Sequence, residues 1–239
     1  MRMNKTIHYF WFGGAEKGKV IEKCIASWKT FFPDFEIKEW NESNFDVRQN
    51  KYISQAYDAK KYAFVSDFAR FKILYEQGGL YFDTDVEVIK PFYSLLDLEA
   101  FAGFETQEFV APGLVLWAKE PHNEMLGEIL ETYSKLEFLN SDGTYNTVTI
   151  CKYFTALLQK HGLRNDDGTV QKVGSFSVFP KDYFCPFDDL TGVMKKTENT
   201  CAIHWYAKSW MSKKDIIRNR ITRVLHRFLG VDFFRKGKK

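Results

Sequence analysis

Cysteine is scarce in this sequence and scattered along it. Cys24, Cys151, Cys185 and Cys201 form no CxxC pair. In a chain of 239 residues this points away from a disulfide framework or a thiolate zinc site, and predicts reduced, mostly buried thiols. Long apolar runs are missing too. The uncharged stretch from Phe109 to Ala118 is broken by Pro112-Gly113, and nothing approaches the roughly 20 apolar residues that cross a bilayer. No secretory leader is read after Lys5: Ile7 to Phe12 followed by Gly13-Gly14 is too short and too aromatic, and no small-residue cleavage site follows. Internal repeats and low-complexity linkers are absent. The expectation is a soluble or peripheral protein in a reducing cytoplasm.

Apolar residues make up 45% of the chain, enough for a sizeable core. Aromatic residues are 17%, with 23 Phe, 12 Tyr and 6 Trp. They suit stacking on flat or ring-shaped ligands, and they suit core packing equally well. The net charge of +3 hides an asymmetry. Met211 to Lys239 holds ten Lys or Arg against two Asp, a net of +8, which leaves −5 for the other 210 residues. A mildly acidic body thus carries a strongly basic tail. No nucleic-acid recognition motif accompanies that tail, so nucleic acid is not an expected partner.

Ile7 to Phe12 reads as a buried first strand ending at a glycine turn. Val20, Ile21, Cys24, Ile25 and Trp28 follow at helical spacing, and Phe35 to Trp40 alternates as a second strand. This β-α-β opening predicts a right-handed crossover and a mostly parallel α/β sheet. Ala56 to Gln77 is predicted as one long helix, stopped by Gly78-Gly79. Leu80 to Lys90 is predicted as one strand ending at Pro91. Further strands are predicted at Gly103-Phe104, Gly113 to Ala118, Ser175 to Phe179 and Ala202 to Tyr206, with helices over Glu120 to Glu137 and Asn146 to His161. Over Lys213 to Phe228, Ile217, Ile221, Val224, Leu225 and Phe228 share one face among Lys214, Arg218, Arg220, Arg223 and Arg227. That is a basic amphipathic helix of the kind that lies on an anionic membrane surface or packs on the body.

The chemistry concentrates in one segment. Asp67 and Arg70 are three apart on a helix and share a face. Asp83 and Asp85 are two apart, so in an extended segment both carboxylates point the same way. Gly78-Gly79 keeps the connection short enough to bring all four together. Two carboxylates facing one way repel, and a shared cation relieves the repulsion. Hard oxygen donors suit Mg²⁺ or Mn²⁺, which leave positions open for phosphate oxygens. The strand flanking Asp83-Thr84-Asp85 is apolar (Leu80, Tyr81, Phe82, Val86, Val88, Ile89), where an unused charge is costly. His8 alternates away from Trp11 and reads as a satisfied core histidine.

At these residues the chain resembles the DxD-containing sugar-transferase family that includes yeast initiating mannosyltransferases and bacterial capsule and lipopolysaccharide enzymes. It is more distantly similar to the glucosylating domains of clostridial toxins. The matching pieces are Ile7 to Gly13, Ala63 to Arg70, Gly78 to Asp85, and His204-Trp205 with Ser209-Trp210, in that order; residues 92–175 match only loosely. The resemblance implies a GT-A fold over residues 1–210, with a nucleotide-sugar half at about 1–118 and an acceptor half at about 119–210, and the basic tail at 211–239. It implies a nucleotide-sugar donor, first a UDP-sugar, a saccharide or lipid-linked saccharide acceptor, Mn²⁺ or Mg²⁺, and transfer with retention. It places Trp11 and Phe12 at the nucleotide, Asp67 and Arg70 at the donor sugar and diphosphate, and Asp83 at hydroxyls or the metal. Asp85 becomes the principal metal ligand and His204 a further one, with Ser209 and Trp210 closing over the diphosphate. Family members often carry Gly-Pro where this chain has Thr147 to Ile150, a departure on the acceptor side. The implied role is surface polysaccharide synthesis at the inner face of the cytoplasmic membrane.

Overall fold

The structure, a computed structural model, describes residues 4–207 together with 218, 219, 222–227 and 230. The expected opening is present. Strand β1 (Thr6–Phe10) leads into helix α1 (Lys19–Phe31), and strand β2 (Glu36–Trp40) pairs parallel with β1. Helices α2 (Lys51–Asp58) and α3 (Tyr62–Gln77) follow, then strands β3 (Gly79–Tyr81), β4 (Val86–Val88), β5 (Ala100–Gly103) and β6 (Leu116–Ala118). Helices α4 (Glu124–Ser134) and α5 (Ile150–Lys160) precede β7 (Gln171–Val173), β8 (Phe176–Phe179), the short helix α6 (Lys181–Phe184) and β9 (Ala202–His204).

Seven strands form the main sheet in the order β2-β1-β3-β6-β5-β8-β7. Strands β2, β1, β3, β5 and β8 run one way; β6 and β7 run against them. The predicted α/β class with a mostly parallel sheet flanked by helices is what the chain adopts. Every residue of β1 is buried, as a central strand covered on both faces requires. Ile7 and Tyr9 enter one apolar layer with Trp28, Leu80, Phe82 and Trp117. Phe10 enters the other, with Tyr52, Phe71, Tyr81, Leu116 and Phe154. Most of the aromatic excess is therefore core. His8 sits wholly buried among these rings with both nitrogens used: Nδ1 accepts from Trp40 Nε1 at 3.1 Å, and Nε2 lies 3.1 Å from the Gly78 carbonyl. The satisfied core histidine expected from the alternation is what is found.

Two predicted elements are split. The long helix breaks into α2 and α3 at Ala59–Lys61, where Lys60 takes a φ of 55° and the Lys61 N–H returns to Ala56 O at 2.8 Å. No glycine or proline marks that break. The long strand also breaks: Phe82 to Asp85 leave the main sheet, and β4 pairs antiparallel with β9 in a separate two-stranded sheet. The glycine stop behaves as expected. Gly78 and Gly79 have φ values of 67° and 97°, and a Cβ on Gly79 would lie 2.8 Å from Thr6 O. The predicted helices over Glu120 to Glu137 and Asn146 to His161 are present but shorter. The four cysteines are free thiols, and all but Cys151 are buried.

Candidate active site

A cleft of about 370 Å³ opens at the C-terminal ends of β1 and β3, between α3 and β9. Trp11, Phe12, Asp67, Arg70, Asp83, Asp85 and His204 all line it. Seven of the nine residues singled out from the sequence are thus brought to one place. Ser209 and Trp210, the other two, lie outside the described residues, as does most of the basic tail.

The floor is built around Arg70. Its guanidinium is buried, pairs with Asp67 at 3.0 Å and Asp83 at 3.1 Å, and sits 4.8 Å over the Tyr81 ring. Its Nε donates to Ser66 O at 3.1 Å, one turn back in α3. Burial opposes the charge, but Asp83, Tyr81 and Asp67 outweigh it and raise the Arg70 pKa above its ordinary value. Asp67 shows the opposite balance: burial pushes its carboxyl up to about 7 in spite of Arg70, and Asp83 adds to the rise. A positive group is therefore held rigidly behind a pocket whose carboxylates crowd one another.

Asp83 and Asp85 converge by a route different from the expected one. They do not alternate along a strand. Thr84 and Asp85 form a turn that Val86 N–H closes on Asp83 O at 3.1 Å, and Asp83 N–H donates to Gly113 O at 2.9 Å. Asp83 accepts from the Tyr81 hydroxyl at 2.5 Å. Asp85 faces β9: Oδ1 lies 3.1 Å from His204 Nε2, and Oδ2 accepts from Ala207 N–H at 2.7 Å. Burial alone would raise the Asp85 pKa, but His204 and the Ala207 N–H bring it below the usual range. Burial lowers the His204 pKa, and Asp85 more than reverses this, to about 9.

Asp83, Asp85 and His204 each offer a ligand atom, all within 4.8 Å of one another. His204 Nδ1 is buried and has no hydrogen-bond partner. Two carboxylates and an imidazole, one of its nitrogens unsatisfied, fit a divalent cation such as Mn²⁺ or Mg²⁺.

The aromatic end of the cleft is fixed by β1 and the loop after it. Trp11 is half-buried, donates from Nε1 to Ala15 O at 2.6 Å, and has the Lys17 ammonium 5.4 Å from its ring centre. Phe12 is buried, and its ring packs against Phe10 and Phe45 at 5.7 and 5.9 Å. It supports the wall more than it presents a face.

Sequence reasoning missed Gly113. A Cβ there would lie 2.1 Å from Asp83 Oδ2 and 2.9 Å from Arg70 Nη1. Its only signal was Pro112-Gly113 inside an otherwise uncharged run. Tyr62, Tyr81 and Tyr206 also line the cleft and were not singled out. Asp142 and Asn146, polar residues of the α4–α5 loop, serve that loop: Asp142 accepts from Thr144, and Asn146 bonds Tyr153.

Residues 18–102, which span α1 to β5 and include the Asp83-Thr84-Asp85 turn, match the family model described as "Glycosyltransferase sugar-binding region containing DXD motif". Over those residues the chain is similar to that region. No curated protein matches the chain. Among solved structures it is similar to the PaToxG glycosyltransferase, with 18% identity, 66% of this chain and 69% of that chain covered, and a TM-score of 0.48. It is also similar to a glycosyltransferase involved in the glycosylation of the major capsid of PBCV-1, with 11% identity, 90% and 98% covered, and a TM-score of 0.48.

Proposed function

We propose that the chain transfers a hexosyl group from a nucleotide-sugar, a UDP-sugar in the first instance, to a saccharide or lipid-linked saccharide in surface polysaccharide synthesis. The observation that carries this reading is the convergence of Asp83, Asp85 and His204 beside a buried, doubly paired Arg70, at the base of a cleft with an aromatic wall. Trp11 offers a ring for the nucleotide base. Asp83, Asp85 and His204 would hold Mn²⁺ or Mg²⁺, which supplies charge neutralisation at the departing diphosphate. Arg70 adds fixed positive charge close by, where it favours the leaving group's developing charge. Asp67 and Asp83 hold Arg70 in place and offer oxygens to sugar hydroxyls.

Retention is what the family resemblance implies. Both carboxylates nearest Arg70 are ion-paired to it, so neither is poised as a covalent nucleophile. With retention and no covalent nucleophile, the acceptor hydroxyl attacks C1 from the side of the leaving group. Its proton passes to a diphosphate oxygen as the C1–O bond breaks, giving glycoside and nucleoside diphosphate. In this reading residues 1–118 supply most of the donor site, His204 completes its metal ligands, and the segment from 119 onward otherwise serves the acceptor.

The basic tail would keep the enzyme at the inner face of the cytoplasmic membrane, where a lipid-linked acceptor lies. Arg223 pairs with Asp189 and sits over Phe187 at 5.1 Å, which ties the tail to the body. Val224 and Leu225 remain exposed next to it, as does Leu190 on the same loop. Among the described residues no helix is long and apolar enough to cross a membrane. Charge reversal at Arg218 and Arg227 in the full chain should abolish pelleting with phosphatidylserine vesicles; unchanged pelleting would remove the tail from this role.

The test of the activity is a melting and hydrolysis screen over UDP- and GDP-sugars, each with Mn²⁺, Mg²⁺ or EDTA. A donor at 100 times its Kd adds about 2.7 kcal/mol of stability. A metal-dependent shift from one donor, with slow release of nucleoside diphosphate and sugar, supports transfer and names the donor. Inorganic phosphate or sugar phosphate as product would point to a phosphoryl hydrolase. A shift that needs no metal and yields no product would leave a non-catalytic sugar-nucleotide binder.

A further inference from the structure

Tyr206 is a bulky residue in the left-handed region, with a φ of 50°. That conformation is costly for a residue with a Cβ and persists only where surrounding contacts impose it. The contacts on either side of it go to one residue. Trp205 N–H donates to Asp85 O at 3.0 Å, and Ala207 N–H donates to Asp85 Oδ2 at 2.7 Å. The chain leaving β9 is bent at Tyr206 so that it hooks around Asp85. The bend also folds the Tyr206 ring back onto the His204 imidazole, with centroids 4.0 Å apart at 40°. His204 has one bonded nitrogen, at Asp85, and one buried nitrogen without a partner. One hydrogen bond leaves an imidazole able to turn about that contact, and the Tyr206 ring packs on one face of it, where it limits that turn. The far end of Tyr206 is anchored in turn. Its hydroxyl donates to Glu105 Oε1 at 2.9 Å and lies 3.2 Å from Cys185 Sγ.

We propose that Tyr206 is a positioning residue that sets the plane of His204 for metal binding, with Glu105 as the anchor of its hydroxyl. This rests on the metal reading of Asp83, Asp85 and His204. Tyr206 touches neither the reacting atoms nor the cation; it acts through the imidazole. The strained backbone thus has a use: the same bend that satisfies Asp85 places an aromatic face where the third ligand needs a wall. Groups of this supporting kind typically govern metal affinity by about 10–100-fold.

The test is a Mn²⁺ titration of the full chain in the presence of UDP, read by loss of the free-ion electron paramagnetic resonance signal, together with the melting temperature in EDTA. Tyr206→Ala should weaken Mn²⁺ binding about 10-fold or more, while the melting temperature in EDTA stays near that of the wild type. Tyr206→Phe keeps the ring and loses the anchor, and should fall between the two. Glu105→Gln keeps an oxygen acceptor for the hydroxyl and should restore most of the affinity lost in Glu105→Ala. Wild-type Mn²⁺ affinity in Tyr206→Ala overturns the proposal and leaves the metal site standing. Should Tyr206→Ala not fold, wild-type affinity in both Tyr206→Phe and Glu105→Ala overturns it instead. Absence of Mn²⁺ binding in the wild-type chain overturns the metal reading itself.

Discussion

Two cavities among the described residues differ in kind, and the larger is the less interesting. The second, of about 720 Å³, lies among Gln107, Asp166, Lys181, Asp188 and Lys195. It is about twice the volume of the cleft between α3 and β9 and is equally rich in acidic residues. Its carboxylates, however, are consumed by local structure. Asp166 accepts from the backbone N–H groups of Gly168 and Lys181, Asp182 from Thr197 and Asn199, and Asp188 from the backbone of Leu190 and Thr191. In the smaller cleft the charges are buried, crowd one another, and leave a histidine nitrogen unsatisfied. Volume does not mark a site; charge held at a cost, without being used up in the fold, does.

Four experiments sharpen that contrast. The largest effect should come from Asp85→Asn. Loss of an outer-shell partner already costs about 10–100-fold in metal affinity, so losing this ligand should cost more, with metal-dependent donor hydrolysis falling below detection and the circular dichroism spectrum unchanged. Normal turnover at saturating Mn²⁺ would end the assignment. Next is Gly113→Ala, whose Cβ would fall on Asp83. Displacing a reacting group by about 1 Å can cost 100-fold in rate, so kcat should drop steeply; an unchanged kcat would show that the floor of the cleft yields.

The third concerns His8, a buried group used up by the fold. Burial lowers its pKa from 6.5 to about 4, although the Gly78 carbonyl opposes this. The unfolded chain therefore binds a proton that the folded chain refuses between those two values. Stability is complete above pH 6.5 and falls as the pH drops toward 4, by up to about 3 kcal/mol. His8→Gln should flatten that part of the pH–stability curve; an unaltered slope would remove His8 as its cause. The smallest effect should come from Asp182→Asn in the larger cavity. It should lower stability by about 1 kcal/mol and leave donor and Mn²⁺ affinity untouched. A loss of donor binding there would mean the second cavity takes part in function.

Much of the cleft was legible because its pieces lie close together in sequence. Asp67 and Arg70 share a helical face by period alone, and Gly78-Gly79 forces a short return to Asp83 and Asp85. The β-α-β opening followed from hydrophobic spacing. What was not legible came from distant pairings or from breaks without punctuation. The α2–α3 junction falls at Ala59-Lys60-Lys61, where only the tertiary fold imposes a left-handed lysine. The aspartates meet through a turn because β4 is pulled from the main sheet by β9, more than 110 residues later. Gly113 looked like an ordinary turn residue, and its role shows only when Asp83 is placed against it.

The pairing of β4 with β9 joins Val86 to His204. During synthesis the two aspartates leave the ribosome long before the histidine does, at about 5–20 residues per second. For several seconds a nascent chain carries an acidic pair with no third ligand and no strand to cover β4. Closing so long a loop is slow relative to local structure. The metal-ligand cluster thus waits on β9, the last strand among the described residues, for its third member.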